Sequence, residues 1–331
     1  MPLKVGMYTI LLSVGLLLSV GLGVSSSSWL GLWVSMELST MAFLGLMSKG
    51  GLSSYEASIK YFLVQSCSSL LFLFFSFLQG FVWISPFILA LTLLVKLGVF
   101  PFHFWVPVIS GGLSWGLNII LFSIQKVIPL AGLILLSCDV LFYLLASSAI
   151  CSTLVGAVGG WVETSLRKLM AFSSVNHGGW MISCLLLGKD ICFFYLLLYS
   201  GMVAVLFTFF SKTSMKHILD VGGLGSIMSQ LSVGLMLLSL GGAPPLTGFM
   251  MKLFVLDISS SSGMIFMFYI MLLSSVIVLA YYLRFVLMGV FLAPKVSSTT
   301  AGSIYLFGFF FSLLGVFFSD VMLSSLQLVL V

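Results

Sequence analysis

From Val5 to within about ten residues of its end, the chain is a series of apolar stretches, each about as long as a bilayer is thick. A helix needs roughly 20 apolar residues to cross about 30 Å of hydrocarbon. On that ruler about eleven spans are expected: Val5 to Val24, Trp29 to Met47, Ala57 to Leu78, Trp83 to Phe100, Leu113 to Ser137, Val140 to Trp161, Leu166 to Leu187, Ile191 to Phe210, Ser226 to Ile258, Met264 to Phe291 and Ile304 to Val321. In lipid a helix satisfies its own backbone hydrogen bonds, so the expected fold is all-α, a polytopic transmembrane helix bundle. Charged residues make up 6% of the chain and apolar ones 61%, whereas a soluble domain carries about 25% charge. No stretch between spans is long enough for a soluble domain, and the first span exceeds the apolar core of a secretory signal, so it is expected to stay as a helix.

The formal charge of +5 comes from thirteen basic residues spread over the whole chain, with no dense patch of the kind nucleic-acid binding needs. Topology explains the excess. Threading the spans alternately through a bilayer puts Lys4, Lys49, Lys60, Arg167, Lys168, Lys212, Lys216, Arg284 and Lys295 on or near one side, and only Lys189 on the other. By the positive-inside bias the N-terminus faces the positive compartment, cytoplasm or matrix, and an odd number of spans sends the C-terminus to the opposite side. Cys67, Cys138, Cys151, Cys184 and Cys192 show no CxxC spacing and lie in or beside apolar runs, so they read as small buried hydrophobes.

Four ionisable residues fall inside spans: Glu37, Lys96, Lys126 and Lys252. A charge at the bilayer centre costs at least about 2.5 to 3.5 kcal/mol, so each must be paired, hydrated or functional, unless it snorkels from a helix end. One carboxylate among three lysines leaves at least two ammonium groups without an acidic partner. An ammonium stripped of water and of counter-ion holds its proton less firmly than one in solution, which suits proton exchange near neutral pH.

Lys96 and Lys252 lie beside two similar breaks, LGVFP at Leu97 to Pro101 and LGGAPP at Leu240 to Pro245. Gly98, Pro101, Gly241, Gly242, Pro244 and Pro245 resist a straight helix, and an interrupted helix exposes backbone groups that a hydrated cavity can satisfy and lipid cannot. Paired breaks mark inverted-repeat transporters with the ion path between repeats. This predicts one integral membrane domain over residues 1–331, with pseudo-repeats near 1–137 and 138–291, a C-terminal loop and helix over 292–331, and Lys96 and Lys252 as counterparts. His177, in a span among Ser and Asn, either relays a proton or bonds a neighbouring carbonyl. His103 reads as structural and His217 as a loop residue; the remaining acids (Glu56, Glu163, Asp139, Asp190, Asp220, Asp257, Asp320) lie near helix ends or in loops. No phosphate loop, dinucleotide fingerprint, metal cluster or hydrolase triad is present in the sequence.

The segments WVSMELSTMAF, EASIKYFLVQSCSS, LLVKLGVFPFHFWVP, QKVIPL, GGWVETSLRKLMAFSSVNHGGWM and SLGGAPPLTGFMMK, in that order from about Trp29 to Lys252, resemble the subunit 2 family of mitochondrial NADH dehydrogenase, antiporter-like membrane subunits of respiratory complex I. The first span and everything after Arg284 match only in hydropathy, and the short N-terminus resembles the animal mitochondrial form. The resemblance implies a proton-translocating subunit in the mitochondrial inner membrane, with its N-terminus on the matrix side and its C-terminus on the intermembrane-space side. It implies partners among the other membrane-arm subunits, lipids, protons and internal water. It implies no cofactor in this chain: NAD, FMN, iron-sulfur clusters and quinone would be held by other subunits. It casts Glu37 as the glutamate that couples to the neighbouring subunit, Lys96 as its paired central lysine, Lys126 as a bridging lysine, Lys252 as the exit lysine and His177 as a histidine between those two. The chain departs from the pattern at Val108, where related sequences carry an acid. Two rivals share these features: a stand-alone cation/proton antiporter, and a structural subunit whose charges are paired scaffolding; an integral membrane enzyme lacks a catalytic constellation.

Overall fold

The computed structural model describes residues 6–79, 81–136, 141–217, 220, 227–261 and 264–291. Among these it contains thirteen helical segments: α1 Met7–Ser25, α2 Trp29–Met47, α3 Leu52–Phe77, α4 Ser85–Leu97, α5 Trp105–Gly112, α6 Trp115–Phe122, α7 Ile124–Leu135, α8 Phe142–Val162, α9 Leu166–Leu187, α10 Lys189–Lys212, α11 Ile227–Gly241, α12 Thr247–Ser261 and α13 Ile265–Phe291. Seven stretches are long and apolar enough to cross a membrane: α1, α2, α3, α6 with α7, α8, α10 and Ile265–Leu287 of α13. The expected eleventh span, Ile304 to Val321, lies outside the described residues, as do Cys138, Asp139 and Asp320.

Serine and threonine hydroxyls are accommodated in these apolar helices by bonding back to their own backbone. Ser35, Ser39, Thr92, Ser148, Ser183 and Ser274 each donate to the carbonyl three residues earlier, at 2.7 to 2.8 Å, so none of these hydroxyls is left dry. Large apolar side chains point outward along α1, α2 and α3, among them Leu11, Leu17, Leu38, Leu63, Leu70 and Phe74, a surface suited to lipid or to an apolar partner. Cys184 and Cys192 are buried as expected, but Cys67 is exposed and Cys151 half-buried. On a lipid-facing helix an outward thiol meets an environment as apolar as a core, so burial inside the protein is not required of it.

The centre of the bundle is α9. Its sequence is too polar to count among the long apolar helices, yet every residue from Ser173 to Cys184 is buried inside the protein. α8 lies against it at backbone contact: a Cβ on Gly156 would stand 2.6 Å from the Asn176 amide nitrogen, and the Asn176 amide donates 2.9 Å to the Thr153 carbonyl. Small residues at the crossing let the two backbones approach this closely.

Both predicted breaks are present, and they end their first half-helix identically. α4 stops at Leu97 with Gly98 left-handed at φ +67°, and its amide and the next donate to the Leu94 carbonyl; α11 stops at Gly241 with Gly242 at φ +86°, and its amide and the next donate to Leu238. This is a Schellman-type terminus, which glycine enters without a Cβ penalty. Gly241 itself is helical; Pro244 and Pro245, like Pro101, lie in the connecting turn. A third interruption was not expected. The span predicted from Leu113 to Ser137 divides at Ser123, whose φ and ψ of −112° and −75° depart from the helix, and Pro129 lies inside α7. Proline lacks the amide that would cap the Gln125 carbonyl, so this stretch too has backbone left over for other partners.

Candidate functional site

The three buried lysines sit on three different interrupted spans and are drawn together around α9. Lys96 is in the last turn of α4, Lys126 near the start of α7, and Lys252 in α12; they are 5%, 5% and 3% exposed, which rules out snorkelling to a surface. Lys96 and Lys252 are therefore not positional counterparts. Gly98 and Gly242 are the same interval apart as Pro101 and Pro245, and in that register Lys252 falls opposite Val108 and Lys96 opposite Leu240. Lys96 precedes its break and Lys252 follows its own; the shared LGxxP signature marked the breaks correctly but not the register of the lysines.

What the two lysines share is electrostatic. Lys96 occupies the carboxyl end of the half-helix α4 by sequence, while Lys252 reaches back across the break so that its Nζ donates 2.8 Å to the Gly241 carbonyl at the carboxyl end of α11. The Lys252 ammonium thus stands at the negative end of one half-helix, and Lys96 belongs to the last turn of the other. The exposed carbonyl in the first break is served differently: the Trp105 indole donates 3.0 Å to the Val95 carbonyl, and the Lys96 Nζ makes no hydrogen bond.

Lys96 instead opens on a cavity of about 20 Å³, which reaches Lys126 and is lined in part by the polar groups of Ser39, Thr40, Tyr61, Gln65 and Gln125. A polar cavity of that size has room and partners for water. Glu37, half-buried at the middle of α2, is the carboxylate whose charge reaches Lys96, and it also reaches Tyr61. The Gln125 amide donates to the Ser39 carbonyl at 3.4 Å, tying α7 to α2 beside this space.

Beyond the cavity, the Lys126 Nζ donates 2.9 Å to the Ser174 carbonyl of α9 and lies 5.1 Å from the centre of the Tyr199 ring. His177, one turn further along α9, is fully buried and stands between the charges of Lys126 and Lys252. Its Nδ1 is 2.9 Å from the Tyr195 hydroxyl, and its ring lies 4.8 Å from that of Tyr199. Nε2 makes no hydrogen bond to a protein group. The Lys252 Nζ is 5.8 Å from the centre of the Trp180 ring on α9.

Sequence reading missed Tyr195, Tyr199, Trp105, Gln65 and Gln125. Two tyrosines at i and i+4 in the apolar run FFYLLLYSG were a usable signal, since buried hydroxyls need partners. His103 is buried, stacked between Phe100 and Phe104, away from the group around α9, and Val108 is 52% exposed on α5. Among the described residues no group of three or more His, Cys, Asp or Glu side chains could hold a metal ion.

The class of protein follows from comparison as well as from geometry. Residues 77–278 match the family described as NADH:quinone oxidoreductase/Mrp antiporter, TM. In structure the chain is similar to one from respiratory complex I of Thermus thermophilus with bound aureothin, with a TM-score of 0.81 and 22% identity over 93% of this chain and 78% of that one. Among curated proteins it is 36% identical to NADH-ubiquinone oxidoreductase chain 2 of Anopheles gambiae over 79% of this chain and 80% of that one. It is 34% identical to the chain 2 protein of Osphranter robustus over 84% of each. The chain belongs to the NADH-ubiquinone oxidoreductase chain 2 family.

Proposed function

We propose that this chain is a proton-translocating membrane subunit of NADH:ubiquinone oxidoreductase, and that Glu37, Lys96, Lys126, His177 and Lys252 form its internal proton route. The observation that carries the reading is the setting of the lysines. Three ammonium groups are buried in one bundle, and the contacts of Lys126 and Lys252 are carbonyl oxygens and ring faces, partners that stabilise a cation without neutralising it. Groups held this way exchange a proton when the local field changes.

In this reading the charge of Glu37 holds the proton on Lys96. When that influence is withdrawn, the proton passes through water in the cavity to Lys126 and onward past His177 to Lys252. Moving one proton against 100 mV takes about 2.3 kcal/mol, an amount that modest changes in buried charge pairing supply. Redox chemistry belongs to other subunits, where NAD, FMN, iron-sulfur clusters and quinone would bind, and this chain takes part only through its membrane-arm neighbours and lipid. The chain is placed in the mitochondrial inner membrane with about eleven spans, its N-terminus on the matrix side and its C-terminus on the intermembrane-space side. Pseudo-repeats near 1–137 and 138–291, followed by a C-terminal loop and helix over 292–331, account for the matched termini of α4 and α11.

A stand-alone cation/proton antiporter is not favoured, because the relatives that match over most of the chain are chains of an oxidoreductase. The test is Lys126→Met in the assembled complex in sealed vesicles. Loss of redox-driven proton uptake with assembly intact is expected; undiminished pumping would remove Lys126 from the route.

A further inference from the structure

The proposed route has one stretch that the cavity does not serve, from Lys126 to Lys252, and there two side chains of α10 organise the ionisable groups. Tyr195 and Tyr199 are one helical turn apart on the buried face of α10, each 1% exposed. Both reach into α9. Tyr195 meets Nδ1 of His177 at 2.9 Å, and the ring of Tyr199 packs against the imidazole. The Tyr199 ring contacts two members of the route at once: the Lys126 ammonium, 5.1 Å from its centre, and the imidazole of His177, at 4.8 Å.

We propose that Tyr199 and Tyr195 are positioning residues for proton passage between Lys126 and Lys252, the first acting through its ring and the second through its hydroxyl. This rests on the proton-route reading above. A desolvated ammonium over an aromatic face is attracted by the ring quadrupole, so the Tyr199 face stabilises Lys126 in its charged form while the ring keeps the imidazole to one side. The Ser174 carbonyl supplies the second anchor for that ammonium. Lys126 is thereby held loaded, and a proton leaves it only when the ammonium shifts off the ring.

Tyr195 acts on the next member. A neutral imidazole donates from one nitrogen and accepts at the other, and the hydrogen bond at one fixes the role of the other. Nδ1 of His177 is engaged by the Tyr195 hydroxyl and Nε2 bonds no protein group, so a hydroxyl that donates to Nδ1 leaves the hydrogen on Nε2. That tautomer leaves the N–H of His177 on the nitrogen that Tyr195 does not hold, free to hand a proton on towards the Lys252 ammonium, which is held by Gly241. Without the tyrosine hydroxyl the two tautomers are no longer distinguished, and the direction of hand-over is lost.

The two roles predict opposite sensitivity to removal of a hydroxyl. In the assembled complex in sealed vesicles, protons translocated per NADH oxidised and the oxidation rate are measured together, with assembly checked on native gels. Tyr199→Phe, which keeps the ring, is expected within about twofold of the parent, and Tyr199→Leu at least about tenfold lower in coupled translocation. Tyr195→Phe is expected to lose severalfold, yet to add nothing to His177→Leu in the double variant, since non-additivity is the sign of a shared function. Equal effects of Phe and Leu at position 199, or a full additional loss from Tyr195→Phe on the His177→Leu background, would overturn the proposal. If Tyr199→Leu fails to assemble, Tyr199→Phe decides alone: retained translocation supports the ring's role and lost translocation overturns it. Lys126→Met runs in parallel. Normal pumping there removes the route itself, whereas blocked pumping there with Tyr199→Leu unaffected removes only the role given to the tyrosines.

Discussion

The two broken helices solve one problem with different donors. Each ends its first half-helix on a carbonyl that accepts a hydrogen bond from a side chain of the second half. At the first break the donor is a neutral indole, Trp105, and at the second it is the ammonium of Lys252. The consequence falls on the lysines. With the Val95 carbonyl already satisfied, Lys96 is left without a hydrogen bond, facing the cavity and the field of Glu37; Lys252 is bound to backbone. One lysine is free to answer a change in its surroundings, and the other is held in place. Matching helix termini therefore do not make matching sites, because the donor that caps each break decides what its lysine can do.

The strongest way to break this comparison is to unmake the second break. A Cβ on Gly248 would run into the Ser239 carbonyl, where α12 crosses close to α11. Gly248→Ala is expected to cost several kcal/mol and to abolish accumulation of the subunit, read on native gels. Phe104, at the same register beside the first break, is 73% exposed, and Phe104→Ala is expected to accumulate normally. Equal outcomes would show that the second break is no more tightly packed than the first.

The lysines themselves give the next largest contrast. Lys252→Leu deprives the Gly241 carbonyl of its donor, a loss of about 1 to 3 kcal/mol, while Lys96→Leu removes an ammonium that bonds nothing. Both variants are expected to block proton transfer, but only Lys252→Leu should lower the thermal unfolding midpoint of the purified complex. A clear drop for Lys96→Leu would mean that Lys96 has a structural partner. Between these sits a pair of glycine variants. Gly98→Ala and Gly242→Ala both force a left-handed alanine, at about 1 to 2 kcal/mol. A Cβ at Gly98 would meet Val106 and the Trp105 ring, whereas at Gly242 it would lie 2.9 Å from the Lys252 Nζ. Gly98→Ala should therefore mainly destabilise, and Gly242→Ala should also slow proton transfer.

The helical, membrane-spanning nature of the chain, the two predicted breaks and the buried placement of Lys96, Lys126, Lys252 and His177 were legible from the sequence because each rests on a local rule. Apolar length sets a span, glycine and proline end a helix, and an ionisable residue within an apolar run must be sheltered. What was not legible depends on packing across the bundle. Ser123 carries no local signal strong enough to divide a helix, and Pro129 alone predicts a kink without saying which carbonyl faces a cavity. The pairing of Lys96 with Lys252 failed because the motif around each break fixes the turn, while the register of a lysine on either side is free to vary. Tyr195 and Tyr199 were hidden for a related reason. A tyrosine in an apolar helix announces only that its hydroxyl needs a partner, and the partners lie on α7 and α9, far away in the chain.

The smallest expected effect is also the sharpest on the comparison itself. Trp105→Phe keeps an aromatic ring beside Tyr61, whose ring lies 6.1 Å from that of Trp105, but removes the N–H that covers the Val95 carbonyl. The loss of one neutral hydrogen bond costs about 1 kcal/mol. That carbonyl still accepts from the Gly98 amide at 3.0 Å, but its second lone pair is vacated one residue from Lys96, at the negative end of α4, and offers that ammonium the partner it lacks. The first break would then resemble the second, with its lysine tied to backbone rather than facing the cavity. Trp105→Phe is accordingly expected to lower the unfolding midpoint slightly and to slow coupled proton transfer by more than so small a destabilisation accounts for. Removing Lys96 as well, in a double variant, should leave the midpoint low, because the ammonium is then no longer there to take the indole's place. If Trp105→Phe leaves the transfer rate unchanged, the freedom of Lys96 does not depend on the indole, and the difference between the two breaks has another origin.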